Sequence, residues 1–443
     1  MTHTIKSGQT PAEPSAAQGE EKRLHKALLI ATFHGSGPQR LVCEEHLEEL
    51  ELLLQTYGAE CAQKVTCHLR KIEGATYIGT GKLEELVQLA KDLAVDLVVM
   101  DDELTPSQQR NLEKAFGIPV MERTEVILNV FAQRAQTKEA RLQIELAQAK
   151  YQAPRLKRLW THLSRQAGTG GGTGAYLKGE GEKQIEIDKR ILKKKVDDLR
   201  KEIDSLRAYR ITQRTLRERA EVPIFAIVGY TNAGKSTLLN ALTGSQVFVE
   251  DKLFATLDTT TRKYLLPNNQ EVLLIDTVGF IRKLPHLLVA AFRSTLEESI
   301  QADTLIHLID VSHPMAEEQA EATYAVLKEL KADEKAIITV FNKIDKCENA
   351  SMINRMRIKY PKNVQISALN HVGFEELQHL MVQELQNLRK TVVLRIPQSD
   401  YSVVSDIMRI GHILKKEYDE NDIIMHVSLP QVHLGNIAHY IVS

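Results

Sequence analysis

The chain has 443 residues, room for roughly two to four domains, and 57 Lys+Arg against 58 Asp+Glu give it a net charge of −1. That balance excludes a uniformly basic nucleic-acid coat and a solvated acidic chain, while 43% hydrophobic residues suffice for buried cores. Four cysteines without a CxxC pair argue against structural zinc or a disulfide framework; no apolar run approaches a membrane span, and the first residues lack the apolar core of a signal peptide.

Residues 1–25 carry almost no large apolar side chains and are expected to form a disordered tail. Over 26–133 the pattern predicts strands at 26–33, 65–71, 95–100 and 118–121. Helices alternate with them at 39–58 and from near Gly81 and Pro106, and Thr80 is expected to cap the middle one. Such alternation implies a small parallel sheet with right-handed crossovers.

The pattern changes over 134–219. Apolar residues recur at heptad spacing at Leu142, Leu146, Ala149, Ala153, Leu156, Trp160 and Leu163, and again at Ile185, Leu192, Val196, Leu199, Ile203 and Leu206. Two short stretches of this kind suit a helical hairpin, with Pro154 kinking the first. The seven glycines of 167–182 are expected to keep that gap non-helical, as a glycine-rich tip. Residues 151–219 hold 18 Lys+Arg and 9 Asp+Glu, a net +9, which leaves −10 for the rest of the chain. That concentration marks the arm as an RNA-contacting element, with Arg155, Lys157, Arg158, Arg165 and Lys178 as contact candidates.

Over 220–389 the alternation returns, with strands predicted at 223–228, 271–275, 304–309, 336–341 and 363–366. Residues 390–443 are expected to form a small α/β appendage with two or three strands and two short helices. The fold class is therefore α/β: a P-loop domain preceded by a small parallel α/β domain and a helical hairpin, and followed by the appendage.

Chemistry concentrates at the ends of the predicted strands. Gly229, Tyr230, Thr231, Asn232, Ala233, Gly234, Lys235, Ser236 and Thr237 read GYTNAGKST between an apolar strand and a helix. Glycines there let backbone N–H groups surround phosphate oxygens, Lys235 reaches the β/γ-phosphates and Ser236 can ligate Mg²⁺. Asp276, Thr277, Val278 and Gly279 (DTVG) supply a carboxylate that holds Mg²⁺ through water and a glycine facing the γ-phosphate. Asn342, Lys343, Ile344 and Asp345 (NKID) offer a carboxylate to the paired donors of guanine, which adenine lacks. Ser367, Ala368 and Leu369 (SAL) can meet the base oxygen through backbone N–H. In this order the motifs imply binding of GTP and GDP. A switch loop must add a hydroxyl to Mg²⁺, and Thr256, Thr259, Thr260 and Thr261 are all available. Phe280 stands where Ras-like enzymes place the glutamine that orients water. Intrinsic hydrolysis is therefore expected to be slow, aided by a partner or by K⁺ held near Asn232.

With FATLD (Phe254, Ala255, Thr256, Leu257, Asp258), DTVGF, GYTNAGKS and the glycine-rich connector, the chain resembles the HflX family of Obg-HflX-like, TRAFAC-class GTPases; YIGTGKLEEL (77–86) resembles the family's N-terminal domain. The resemblance singles out Thr256 as the switch ligand to Mg²⁺. It implies hydrolysis of GTP to GDP and phosphate, binding to the large ribosomal subunit and its rRNA, and dissociation of stalled or idle ribosomes. It is compatible with a cytoplasmic, partly ribosome-associated monomer. LKGEGEKQIEIDKR (177–190) departs from the family's usual Arg-Gly-Pro-Gly-Glu-Thr run at the connector. Two other readings are an assembly factor for large-subunit precursors and an ATP-dependent RNA remodeller working through the N-terminal domain.

Overall fold

The computed structural model describes residues 25–35, 37–156, 177–218, 222–244, 253–254, 259–285, 302–347, 350–387, 389–419, 421–430 and 434–442. Strand β1 (His25–Phe33) is apolar on both faces and forms the centre of a parallel four-stranded sheet. Helix α1 (Gly37–Tyr57) leads to β2 (Ala59–His68), α2 (Thr80–Asp92) to β3 (Leu97–Met100), and α3 (Pro106–Phe116) to β4 (Val120–Glu122). The sheet order is β2-β1-β3-β4. β2 starts six residues before the predicted 65. It lies on the sheet edge with few buried side chains, so its first half has no apolar signature. Thr80 is the first residue of α2 rather than its cap; Gly79 holds the cap position without a side-chain hydrogen bond. A capping box at Thr105–Gln108 and a left-handed Gly117 bound α3.

Two helices then run back over the sheet, α4 (Arg123–Arg134) and α5 (Lys138–Gln152). Pro154 ends α5 in a 3₁₀ turn at Ala153–Arg155, because proline removes the next helical donor. The 42-residue α6 (Leu177–Glu218) completes a hairpin with α5, packing Leu199 and Ile203 on Leu142 and Leu146, with Val196 and Leu206 beside them. α6 corrects one expectation. Gly179 and Gly181 lie inside it, so residues 177–182 are helical where a non-helical gap was expected. Each helical glycine costs only about 1 kcal/mol against alanine, which a long helix can absorb. Trp160 and most of the glycine run lie outside the described residues.

The second sheet contains β5 (Ile224–Gly229), β6 (Thr260–Leu265), β7 (Glu271–Asp276), β8 (Thr304–Asp310), β9 (Ala336–Asn342) and β10 (Asn363–Gln365), in the order β10-β9-β8-β5-β7-β6. All neighbours are parallel except β6 and β7. β6 is the strand that sequence patterning misses, since its polar TTRKYL faces solvent at an edge. Helices α7 (Lys235–Thr243), α8 (Ala316–Glu329), α9 (Ala350–Lys359) and α10 (Phe374–Asn387) cover this sheet. Among the described residues the appendage has three antiparallel strands, β11 (Arg389–Pro397), β12 (His412–Asp419) and β13 (Asp422–Pro430), one α-helix, α11 (Tyr401–Ile410), and short 3₁₀ helices at Gln398–Asp400 and Gly435–Tyr440. Its core is its own, built on Val392, Leu394, Ile396, Val404 and Met425. By contrast, one hydrophobic cluster runs from Leu29 and Leu50 through Phe131 to Phe254 and Phe280, joining the first two sheets' domains. Among the described residues, no helix is long and apolar enough to cross a membrane.

Candidate nucleotide site

The site gathers at the carboxyl ends of β5, β7 and β9, where an open parallel sheet leaves a crevice. Gly229 ends β5 against the carbonyl of Leu308, with no room for a Cβ. The loop then turns through Asn232 (φ 59°), exposed, and Gly234 (φ 96°). At Gly234 a Cβ would meet Asn342 Nδ2 at 2.5 Å, so both backbone angle and space require glycine.

Asn342 is the brace of the site. Its Nδ2 donates to the carbonyl of Ala233 at 2.8 Å, and its Oδ1 accepts from Ala368 N–H at 2.9 Å. One side chain thereby holds the phosphate loop and the SAL turn in fixed relation. Ser367 is buried and its hydroxyl accepts from Asn370 N–H at 3.2 Å, whereas Leu369 is exposed. Lys343 adopts a left-handed φ of 62° and pairs with Asp310 at 2.7 Å. Asp345 follows in a 3₁₀ turn, Ile344–Lys346, and is exposed on the rim.

Lys235 opens α7 and is buried. Its Nζ donates to the carbonyls of Gly229 (3.1 Å) and Tyr230 (2.7 Å), and burial pulls its pKa down to about 8 against the opposing pull of Asp276. A lysine short of compensating charge in a glycine-rich loop is a receptor for an anion. Ser236 Oγ donates to Asp276 Oδ2 at 2.6 Å, which places two hard oxygen ligands side by side. The Thr231 hydroxyl is buried with no hydrogen-bond partner among the described residues. These residues suit a phosphate with Mg²⁺.

The side chains of Thr277 and Val278 face inward; Thr277 Oγ1 donates to the carbonyl of Ile227 at 2.7 Å. Only their backbone is open to a ligand. Phe280 is buried, and its backbone pairs with the phosphate loop through Phe280 N–H to Gly229 O (3.0 Å) and Thr231 N–H to Phe280 O (2.7 Å). Its ring therefore offers nothing to water. Phe254 packs tilted against Phe131 with ring centroids 4.4 Å apart, so its side chain belongs to the interdomain core rather than to a nucleotide. Ala255, Thr256, Leu257 and Asp258 lie outside the described residues, as do Lys157, Arg158, Arg165 and the side chain of Lys178.

Arg155 corrects the charge reading. Its guanidinium donates to Glu122 (2.9 Å), the carbonyl of Leu104 (3.0 Å) and Gln109 (3.1 Å), and lies 3.9 Å over the Tyr151 ring. This cation neutralises a buried carboxylate of the N-terminal domain and is not available to phosphate.

Sequence reasoning missed the contacts across the domain boundary. Tyr230 OH donates to Glu49 and accepts from Arg282 N–H at 2.6 Å. Arg123, on the N-terminal domain, bonds Glu49, Asp101 (2.9 Å) and the carbonyl of Arg282 (3.2 Å). Arg282 and Lys283 in turn reach Asp101 at 2.7 and 3.0 Å, and Lys283 reaches Asp102 at 3.0 Å. The one hint in the sequence was Arg123 directly after a buried strand, at the start of a helix whose middle is the apolar run VIL.

Three family models cover the chain in series: a GTP-binding GTPase N-terminal region at residues 44–132, a GTP-binding GTPase middle region at 134–217, and a 50S ribosome-binding GTPase at 224–343. GTPase HflX of Chlamydia pneumoniae is 44% identical over 413 residues, covering 93% of this chain and 87% of the relative. GTPase HflX of Escherichia coli K12 is 39% identical over 391 residues, 88% and 90% of the two chains. A GTP-binding protein of the archaeon Sulfolobus solfataricus, solved with GDP, is 25% identical with a TM-score of 0.42, over 82% of this chain and all of that one. The chain belongs to the HflX family of GTPases, enzymes that hydrolyse GTP on a ribosome-binding GTPase domain.

Proposed function

We infer that this GTPase binds the large ribosomal subunit in its GTP form, separates stalled or idle ribosomes, and leaves after hydrolysis that the ribosome stimulates. In this reading the nucleotide contacts are the loop 229–237, residues 276–279, Asn342 to Asp345 and Ser367 to Leu369. Asp345 accepts from guanine, the loop N–H groups and Lys235 hold the β- and γ-phosphates, and Gly279 N–H faces the γ-phosphate. Ser236 and Thr256 would hold Mg²⁺ directly and Asp276 through water, where the ion neutralises charge developing on the phosphoryl oxygens. Gly279 and the loop align the terminal phosphate, and the buried Phe280 leaves water activation to the ribosome, with K⁺ near Asn232 as a second aid. The protein acts as a cytoplasmic monomer.

One observation carries the ribosomal part. The basic arm ends at Glu218 and strand β5 of the ribosome-binding GTPase unit begins at Ile224, six positions on along the chain, which supports reading the two as working together. Sedimentation of ribosomes with the protein and GTP, GDP or a non-hydrolysable analogue tests it. The expected result is co-migration with large subunits, and loss of 70S-type particles, with GTP and the analogue only. Single-turnover hydrolysis should rise by about 10³–10⁵ with ribosomes, the scale of a missing catalytic group supplied in trans. Equal rates with and without ribosomes would refute the reading; stimulation by immature particles alone would favour an assembly factor.

A further inference from the structure

Gly279 packs directly against the phosphate loop and Lys235. A Cβ on Gly279 would lie 2.8 Å from Thr231 Cγ2 and 3.0 Å from Lys235 Nζ, and that ammonium is turned onto the carbonyls of Gly229 and Tyr230. A γ-phosphate bound between Gly279 N–H and Lys235, as the nucleotide reading has it, would press on the strip 279–283. GDP, which ends at its β-phosphate, makes no such demand.

What holds the strip inward belongs to the other domain. Glu49 on α1 accepts from the Tyr230 hydroxyl, whose oxygen takes Arg282 N–H at 2.6 Å. Asp101, at the end of β3 and almost fully buried, binds Arg282 at 2.7 Å and Lys283 at 3.0 Å. Arg123 ties both carboxylates together and also donates to the carbonyl of Arg282. The strip is thus gripped by backbone and side chain at once. Its charge-assisted bonds are mostly buried, where they are least screened.

We propose that Glu49 and Asp101 are specificity-determining residues for the nucleotide. By gripping Tyr230, Arg282 and Lys283 they hold Gly279 against Lys235, and so set how strongly the site prefers GDP over GTP. A bound γ-phosphate correspondingly loosens the domain contact, since linkage between two sites is reciprocal. The inference rests on the nucleotide reading above. The other flank agrees with it: Phe254, beside the switch threonines, is anchored on Phe131 of the same N-terminal domain.

The test is calorimetric titration of the full chain, in Mg²⁺, with GDP and with a non-hydrolysable GTP analogue. Glu49→Gln breaks the shared acceptor of Tyr230 and Arg123. Lys283→Met removes a third-exposed lysine and leaves the Arg123 network in place, so it carries the test if Glu49→Gln folds poorly. Expected are an analogue-to-GDP affinity ratio raised about tenfold by Glu49→Gln and about threefold by Lys283→Met, with GDP affinity held to within about twofold. A ratio unmoved in both variants overturns the proposal, as does a parallel fall in affinity for both nucleotides, the mark of a merely structural role. A parent chain that binds neither nucleotide would sink the nucleotide reading itself, and this inference with it.

Discussion

Asp101 serves three cations with one carboxylate. Burial alone would raise its pKa, but Arg123, Arg282 and Lys283 outweigh burial and hold it well below the usual carboxylate range. A depressed native pKa contributes stability above the unfolded carboxylate value of about 3.9, and that contribution fades as pH falls below it. Asp101→Asn should therefore lower unfolding free energy by about 3–5 kcal/mol at neutral pH, because Arg123 is left buried beside a lost partner. In denaturant titrations the gap between parent and variant should shrink below about pH 4. Asp345 makes a different claim. Its carboxylate matches two donors found together on guanine, so Asp345→Asn should weaken GTP binding and shift preference toward xanthine nucleotides, whose carbonyl accepts from the new amide. Competition binding with unchanged GTP preference would remove Asp345 from that role. Residues such as Lys235, Ser236, Asp276 and Asn342 were legible in the sequence because each sits at a fixed offset from a strand end. Glu49, Asp101 and Arg282 were not, since their partners are 159 to 181 residues away along the chain and no local pattern records such a pairing.

Among the elements, the buried strands were easiest to find. β1, β5, β8 and β9 are apolar runs flanked by turns, and the structure moves their ends by a residue or so. β6 escaped because a polar edge strand has no burial to signal it. The arm was found through its heptads, and Leu142, Leu146, Leu199 and Ile203 do meet. Its charge was over-read at Arg155, because a charge count cannot tell a cation bound to a buried glutamate from one facing RNA. The prediction for the arm changes accordingly. Deleting 168–181 should leave GTP binding intact and remove ribosome splitting with most of the stimulated hydrolysis. Charge reversal at Lys157 and Arg158 should weaken ribosome binding and flatten its salt dependence. Arg155→Glu should instead destabilise the N-terminal domain by placing a third acid beside Glu122 and Glu125; a thermal melt separates that effect from ribosome affinity. If the deletion variant splits ribosomes like the parent, the arm is only a connector.

At the scale of the molecule, the first two sheets share a core while the appendage keeps its own. Ligand binding to the native state raises stability by mass action, about 2.7 kcal/mol at a hundred times Kd. Saturating GDP should therefore slow amide exchange in β1, β3 and α4 along with β5 and β7, and leave β11–β13 unchanged. Protection confined to residues 224–387 would show that the shared cluster does not unfold as one unit.

Helix α6 is 42 residues long, which at 1.5 Å per residue is about 63 Å from end to end. Its base lies a few residues before β5, and α5 packs on its middle. A rod of that length converts angle into distance: a tilt of about 5° at the base displaces the far end by about 5 Å, the rise of one helical turn. Displacements of an ångström or two at the nucleotide become, at the far end, the size of a side chain. If the nucleotide tilts the base of α6, a shaft of this kind would carry that displacement to a place the phosphate never touches.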